Sequence, residues 1–269
     1  MTSLYRFETL DHFEQVVRDN ELTFVLPYLW SDKHEGFLFR EVYSYGGMDK
    51  VRIIADTMFE NTLPKEQGFG SFIVAVLAGL RTTTLAQCWS KCEGNSTLWQ
   101  NKDVRIEVCR EDISGLDHVE IYDVEYVDSL TIEDGLRRLN PAPIAGGGIH
   151  IDFNSVLLTK RRLYSDEYEV RILTSEGENV NRDGRGGFLF GEVFKQLYAQ
   201  GKISKEELES RILKMGIIYF KKVSFAHIDN FIKSVMLKSS ASKEDETKVE
   251  RLCEEYSLKY LGRWQPRPL

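Results

Sequence analysis

Behind Thr9, the residues Leu10, Phe13, Val16 and Val17 recur at helical spacing, which predicts a helix through Arg18 with Thr9 as its N-cap. Leu4 to Phe7, before it, has the texture of a short aromatic-rich strand, and Leu22 to Leu26, after it, that of a second strand stopped by Pro27. Gly46-Gly47 breaks the chain ahead of a helix from about Asp49 to Glu60, and Pro64 opens the connection to a helix whose apolar body is Phe69 to Leu80. From Thr82 the period changes. Val104 to Val108 and Val119 to Val127 alternate apolar and polar residues, as half-buried strands do. Pro141-Ala142-Pro143 and Gly146 to Gly148 mark a loop, and Asn179 to Gly187 marks another. Between these loops, Ile149 to Phe153, Val156 to Thr159 and Tyr168 to Leu173 are expected as strands or strand pieces. Helices are expected at about Gly191 to Ala199, Lys205 to Lys214 and Lys243 to Tyr256, with a strand over Ile217 to Val223. Helices and strands intersperse without a βαβ rhythm. The expected fold is α+β: a single domain with a mixed, mostly antiparallel sheet, split or continuous, and flanking helices. A mainly helical part is expected over 188–262.

Composition narrows this little. The chain has 269 residues, 42% of them hydrophobic, and a net charge of −7. That is enough to bury a core without crosslinks, and it excludes disordered and collagen-like classes. Mild acidity argues against a protein that coats nucleic acid non-specifically. The four cysteines, Cys88, Cys92, Cys109 and Cys253, read as reduced thiols. The start lacks the basic-then-apolar pattern of a signal peptide, and Phe72 to Leu80 is about half of the 18–20 residues a membrane span needs. A cytoplasmic protein without a membrane partner is expected.

The chemistry concentrates in Lys160 to Arg171, KRRLYSDEYEVR. On a strand, Glu167 and Glu169 share a face while Tyr168 and Val170 share the other. Two adjacent carboxylates repel, so one pKa rises unless a cation meets them; that suits general-base work or a ribose hydroxyl. The plain alternative is a solvent-facing strand with both Glu residues out, and Lys160, Arg161, Arg162 and Arg171 crowd the pair closely enough to neutralise it. Arg6, on the first strand, could clasp a phosphate or pair with an acid. Ser90 ends a β-like stretch, and Trp99 is a stacking or a core residue. Asp32 and Glu35 have N-cap spacing. The five His residues are scattered, and Cys88 with Cys92 lacks a second pair at zinc spacing, so no metal centre is expected. Walker, GxGxxG and GxSxG motifs are absent.

Four blocks, in order, resemble a bacterial family catalogued as domain of unknown function 2971. They are LYRF, LTFVLPYLWSDKHEG, AQCWSKCEGNSTLWQNKDVRIEV and TKRRLYSDEYEVRI, together spanning about residues 4–173. The sequence departs from that pattern in lacking the Pro of the second block and in carrying Trp89 for Phe and Tyr164 for Trp. The order of Arg6, Ser90 and Glu167-Tyr168-Glu169 is also similar to one branch of the ADP-ribosyltransferases. That second resemblance implies an NAD-consuming transferase or glycohydrolase, acting as a toxin or in antiviral defence, with a neutralising protein partner and a protein or nucleic-acid acceptor. Arg6 would hold the NAD pyrophosphate, Ser90 would position the carboxylate or the nicotinamide ribose, and Glu169 would bond the ribose and stabilise the oxocarbenium-like transition state. Glu167 would activate the acceptor, and Tyr5 or Trp99 would stack on nicotinamide. Two rivals stand beside it: a non-catalytic nucleotide- or partner-binding protein, and a metal-dependent nuclease or phosphodiesterase using Asp32, Glu35, Glu167 and Glu169.

Overall fold

The structure, a computed structural model, describes residues 2–27, 30, 35–60, 69–144, 148–175, 204 and 220–265. The expected helices at 191–199 and 205–214, the loop at 179–187 and Asp32 lie outside these residues.

The N-terminal half alternates strand and helix, then turns helical. β1 (Ser3–Glu8) leads into α1 (Leu10–Asp19), where the Thr9 hydroxyl accepts the His12 N–H, and Asn20 ends the helix in a left-handed conformation. β2 (Glu21–Val25) follows, then α2 (Phe37–Tyr43), α3 (Gly47–Phe59) and α4 (Phe69–Thr83). Gly70 lets α4 sit hard against α3: a Cβ there would lie 2.3 Å from the Arg52 carbonyl oxygen. β3 (Thr84–Ser90), β4 (Val104–Cys109), α5 (Arg110–Ser114) and β5 (Val119–Asp123) come next. β6 (Glu125–Val127), α6 (Ile132–Arg138), β7 (Ala142–Ile144), β8 (Gly148–His150), β9 (Thr159–Arg161) and β10 (Glu169–Ser175) complete the middle. Two 3-10 segments, Asn154–Leu157 and Arg162–Glu167, flank β9. The chain closes with β11 (Phe220–Ser224), α7 (Ile228–Phe231), β12 (Ile232–Leu237), α8 (Lys243–Glu255) and β13 (Tyr260–Arg263).

The expected α+β fold, with one mixed and mostly antiparallel sheet, is what forms. Among the described residues nine strands join, in the order β11-β2-β3-β1-β4-β12-β13, with β10 on the other edge of β3 and β5 beyond it. Among the described strands of this sheet, only β12 and β13 run parallel. β3 is the junction. β10 covers one of its edges along the full length, while β2 and β1 share the other edge end to end, through the pairs Val25↔Ala86 and Tyr5↔Ser90. The sheet therefore divides at β3.

Each face of β3 and β10 supports its own core. Leu85, Trp89, Val170 and Ile172 face the cluster that takes in Phe13 and Val17 of α1 and Val249 and Leu252 of α8. Ala86 and Leu173 face the cluster built from α2, α3, α4 and α6, with Leu38, Val51, Leu77 and Leu136.

Some expectations need correction. Val156 to Thr159 is a 3-10 segment followed by the start of β9, not a strand. The stretch 119–127 divides into β5 and β6, which pair in different sheets. In the C-terminal part, most of 188–219 lies outside the described residues; the described remainder mixes α7 and α8 with β11, β12 and β13, which join the central sheet. Among the described residues, no helix is long and apolar enough to cross a membrane.

Candidate functional site

The site arises from a change of composition along one face of the β3–β10 pair. The directly opposed pairs on that face run Ala86–Leu173, then Cys88–Arg171, then Ser90–Glu169. An apolar pair that joins the helical layer thus gives way, within two steps, to a buried guanidinium and a buried carboxylate. The residues between them, Val170 and Ile172, are themselves fully buried in the opposite core, so β10 is sealed on both faces.

Among the described residues, five charged side chains meet there. The Lys160 ammonium, from β9, lies 2.7 Å from Glu169 Oε2, 2.7 Å from Glu167 Oε2 and 2.9 Å from Glu35 Oε1. Arg171 Nε donates to Glu169 Oε1 at 2.7 Å, Arg171 Nη2 stands 3.4 Å from Glu35 Oε1, and Arg171 Nη1 donates to the Leu157 carbonyl. The Trp30 ring covers the Arg171 guanidinium at 4.7 Å, and the Tyr164 ring lies 5.1 Å from the Lys160 ammonium. The side chains of Glu169 and Arg171 are 4% and 0% exposed, whereas that of Glu167 is 16% exposed.

The backbone that carries the two Glu residues is held peptide by peptide. The Ser90 hydroxyl donates to the Glu167 carbonyl at 2.6 Å and accepts the Cys92 N–H at 2.8 Å. The Tyr168 carbonyl accepts the Lys91 N–H at 3.0 Å. The Glu169 N–H donates to the Tyr126 hydroxyl at 2.7 Å. Burial pushes the Tyr126 phenol up to about 12, so it stays protonated.

Ionisation differs between the two carboxyls. Burial raises the pKa of Glu169, but Arg171 and Lys160 outweigh it and hold the group below the usual carboxylate range. Burial also raises the pKa of Glu167; Lys160 opposes this, and the charges of Glu169 and Glu35 reinforce it, leaving the group above its ordinary value. Burial disfavours the Lys160 ammonium, yet its carboxylates overcome that and raise its pKa, and the same balance raises that of Arg171.

The residues singled out in sequence are distributed as follows. Ser90, Glu167 and Glu169 come together. They do so across a turn rather than along one strand: Glu167 ends the 3-10 segment, Tyr168 is left-handed at φ 45°, and β10 begins at Glu169. The solvent-facing alternative is reversed, since Tyr168 is 60% exposed and both carboxylates point inward. Tyr5, paired with Ser90, shares the site's face and has the Arg105 guanidinium 4.8 Å from its ring. Arg6 does not join them. As the next residue on β1 it points to the opposite face, where it pairs with Glu8 and lies 5.9 Å from the Trp89 ring. Burial raises the pKa of Glu8, but Arg6 and His12 outweigh it and hold Glu8 at about 2. Trp99 is 2% exposed, edge-on to Phe7 and tilted against Trp264, which makes it a core residue rather than a stacking platform.

Glu35 reads in the sequence as a capping partner, yet α2 takes Gly36 as its N-cap and the Glu35 carboxylate enters the cluster. Lys160 and Arg171 do neutralise the Glu pair, whereas Arg162 turns outward to Asp128 and Arg161 reaches the Tyr164 hydroxyl. Tyr126 carries no sequence signal beyond alternation on its strand. Among the described residues, no group of three or more His, Cys, Asp or Glu is arranged to hold a metal ion.

No family model, no curated protein and no solved structure matches the chain.

Proposed function

We propose that the chain is an NAD-consuming enzyme that transfers ADP-ribose to an acceptor or to water. One observation carries this reading: two carboxyls bonded to a single ammonium have their pKa values moved in opposite directions, Glu167 up by burial and Glu169 down by Arg171 and Lys160. Neighbouring acids with separated pKa values are how one site holds both a fixed negative charge and a proton carrier. Their Oε2 atoms each lie 2.7 Å from Lys160 Nζ, so both acids are presented at one point. Glu169 stays ionised and opposes the positive charge that develops on the ribose carbon as the bond to nicotinamide breaks. The bonding electron pair leaves with nicotinamide and neutralises its pyridinium, so the leaving group needs no proton. The acceptor O–H attacks the ribose carbon and gives its proton to Glu167, the more exposed and more basic of the two carboxylates. Ser90 acts as a positioning residue through the Glu167 carbonyl. Because Arg6 lies on the other face, the pyrophosphate ligand must come from elsewhere. A role as a toxin or defence effector with a neutralising partner rests on the resemblance alone.

The burial of Glu169 favours a second reading, in which the cluster is a structural ion network inside a non-catalytic binding protein. NAD consumption by purified protein separates the two. The transferase reading expects turnover by wild type, and losses of about 10²–10⁴-fold in both Glu169→Gln and Glu167→Gln with circular dichroism unchanged. Absence of NAD consumption by wild type, or wild-type rates in Glu169→Gln, would falsify it.

A further inference from the structure

The turn that carries Glu167 has no apolar anchor of its own. No side chain of the 3-10 segment Arg162–Glu167 is buried, and its aliphatic residue, Leu163, is 64% exposed. Apolar burial is what ordinarily fixes an element, so packing does not decide where this turn holds its last residue.

Hydrogen bonds from elsewhere in the chain do. Three consecutive carbonyls accept from the end of β3 and the loop behind it. The Asp166 carbonyl accepts Asn95 Nδ2 at 2.8 Å, the Glu167 carbonyl accepts Ser90 Oγ at 2.6 Å, and the Tyr168 carbonyl accepts the Lys91 N–H at 3.0 Å. Ser90 and Lys91 stand where β3 already pairs with β10. Asn95 is different: it reaches out of the loop 91–103 to a turn 71 residues later. Its Oδ1 accepts the Leu98 N–H at 2.9 Å, which sets the amide plane and aims Nδ2 at Asp166.

The loop is built to stay in place. The Glu93 carbonyl accepts Arg105 Nη1 at 2.9 Å, from a side chain only 1% exposed. Trp99 lies in the core, and a Cβ on Gly94 would stand 3.0 Å from the indole nitrogens of both Trp99 and Trp264. A loop fixed at 93, 94 and 99 therefore grips a turn that buries no side chain.

We propose that Asn95 is a positioning residue, which straps the turn so that the Glu167 carboxylate stays on the Lys160 ammonium beside Glu169. The inference rests on the NAD-consuming reading for its kinetics, and on the hydrogen bonds alone for the placement of Glu167.

The test uses the full chain as Asn95→Ala and Asn95→Ser. Alanine removes both bonds of the side chain, whereas serine keeps an acceptor for the Leu98 N–H and gives up the reach to Asp166. NMR of the side-chain carboxyls follows the titration of Glu167, and NAD consumption is measured against pH beside the melting temperature. Without the strap, Glu167 swings towards water. It loses the burial that raises its pKa and the smaller opposing effect of Lys160, so its titration is expected to fall to the ordinary carboxylate range in both variants. The acid limb of the pH–activity profile should move to lower pH with it, and kcat should fall about threefold to tenfold with the KM for NAD nearly unchanged. A residue that only folds the loop would lower the melting temperature of the Ala variant and leave the Glu167 titration in place. That result, or an unmoved titration with no change in melting, overturns the proposal while leaving the transferase reading standing. A wild-type protein that consumes no NAD removes the transferase reading, and the titration then decides the role of Asn95 alone.

Discussion

The charges around the cluster account for which carboxyl has its pKa raised. Among the described residues, three acids, Glu35, Glu167 and Glu169, meet two bases, Lys160 and Arg171. Glu35 and Glu169 each face both bases, whereas Glu167 faces Lys160 alone, so the surplus negative charge falls on Glu167. This makes Glu35 a positioning residue, although it sits far from the pair in sequence. In Glu35→Gln the charge that helps raise the Glu167 pKa is removed. Glu167 as general base works deprotonated, so the acid limb of the pH–activity profile should move to lower pH, with the maximal rate reduced as the base weakens. Glu35→Asp should restore the limb. A profile that stays in place in Glu35→Gln would show that Glu35 only fills space. Parity settles Arg6 in the same way: Tyr5 and Ser90 share a face, so the next residue along β1 cannot.

At the scale of elements, the capping box of α8 makes a clean test of local energetics. The Ser242 hydroxyl accepts the Asp245 N–H at 3.0 Å, and the Asp245 carboxylate accepts the Ser242 N–H at 3.2 Å. Ser242→Ala should cost about 1 kcal/mol, seen as a lower urea midpoint with unchanged slope. That helix was legible in the sequence, as were α1, α3, α4, β1, β2 and β4, because each is long enough or regular enough to show its period. α2 and α6 leave no period in the sequence because two turns are too short to show one, and α2 begins at a left-handed Gly36 rather than at a polar cap. β10 was half legible. Its alternation suggests one wet face, but both faces are buried, and Glu169 and Arg171 are tolerable there because they pair with each other and with Lys160 and Glu35. The Glu pair, Ser90 and the neutralising cations were readable as residue types. The convergence of Glu35 on them was not, because it depends on how β9, β10 and the chain ahead of α2 stack in space.

At the scale of the whole molecule, the last part of the chain completes the fold rather than decorating it. β12 pairs with β4, and β13 covers β12, while Val249, Leu252 and Leu258 fill the core beneath. A chain ending at Phe231 should therefore lose cooperative thermal unfolding and aggregate; a soluble truncation with a sharp melting transition would show that the first strands suffice. The same pairing has a consequence during synthesis. β4 is made long before β12, so one of its edges stays open while the ribosome translates everything from Arg110 to Phe231. At about 5–20 residues per second, that leaves an unpaired strand waiting for several seconds on every nascent chain. Through that interval the open edge invites β4 of a neighbouring nascent chain on the same polysome, so the yield of this protein in a cell depends on how quickly its own C-terminus arrives.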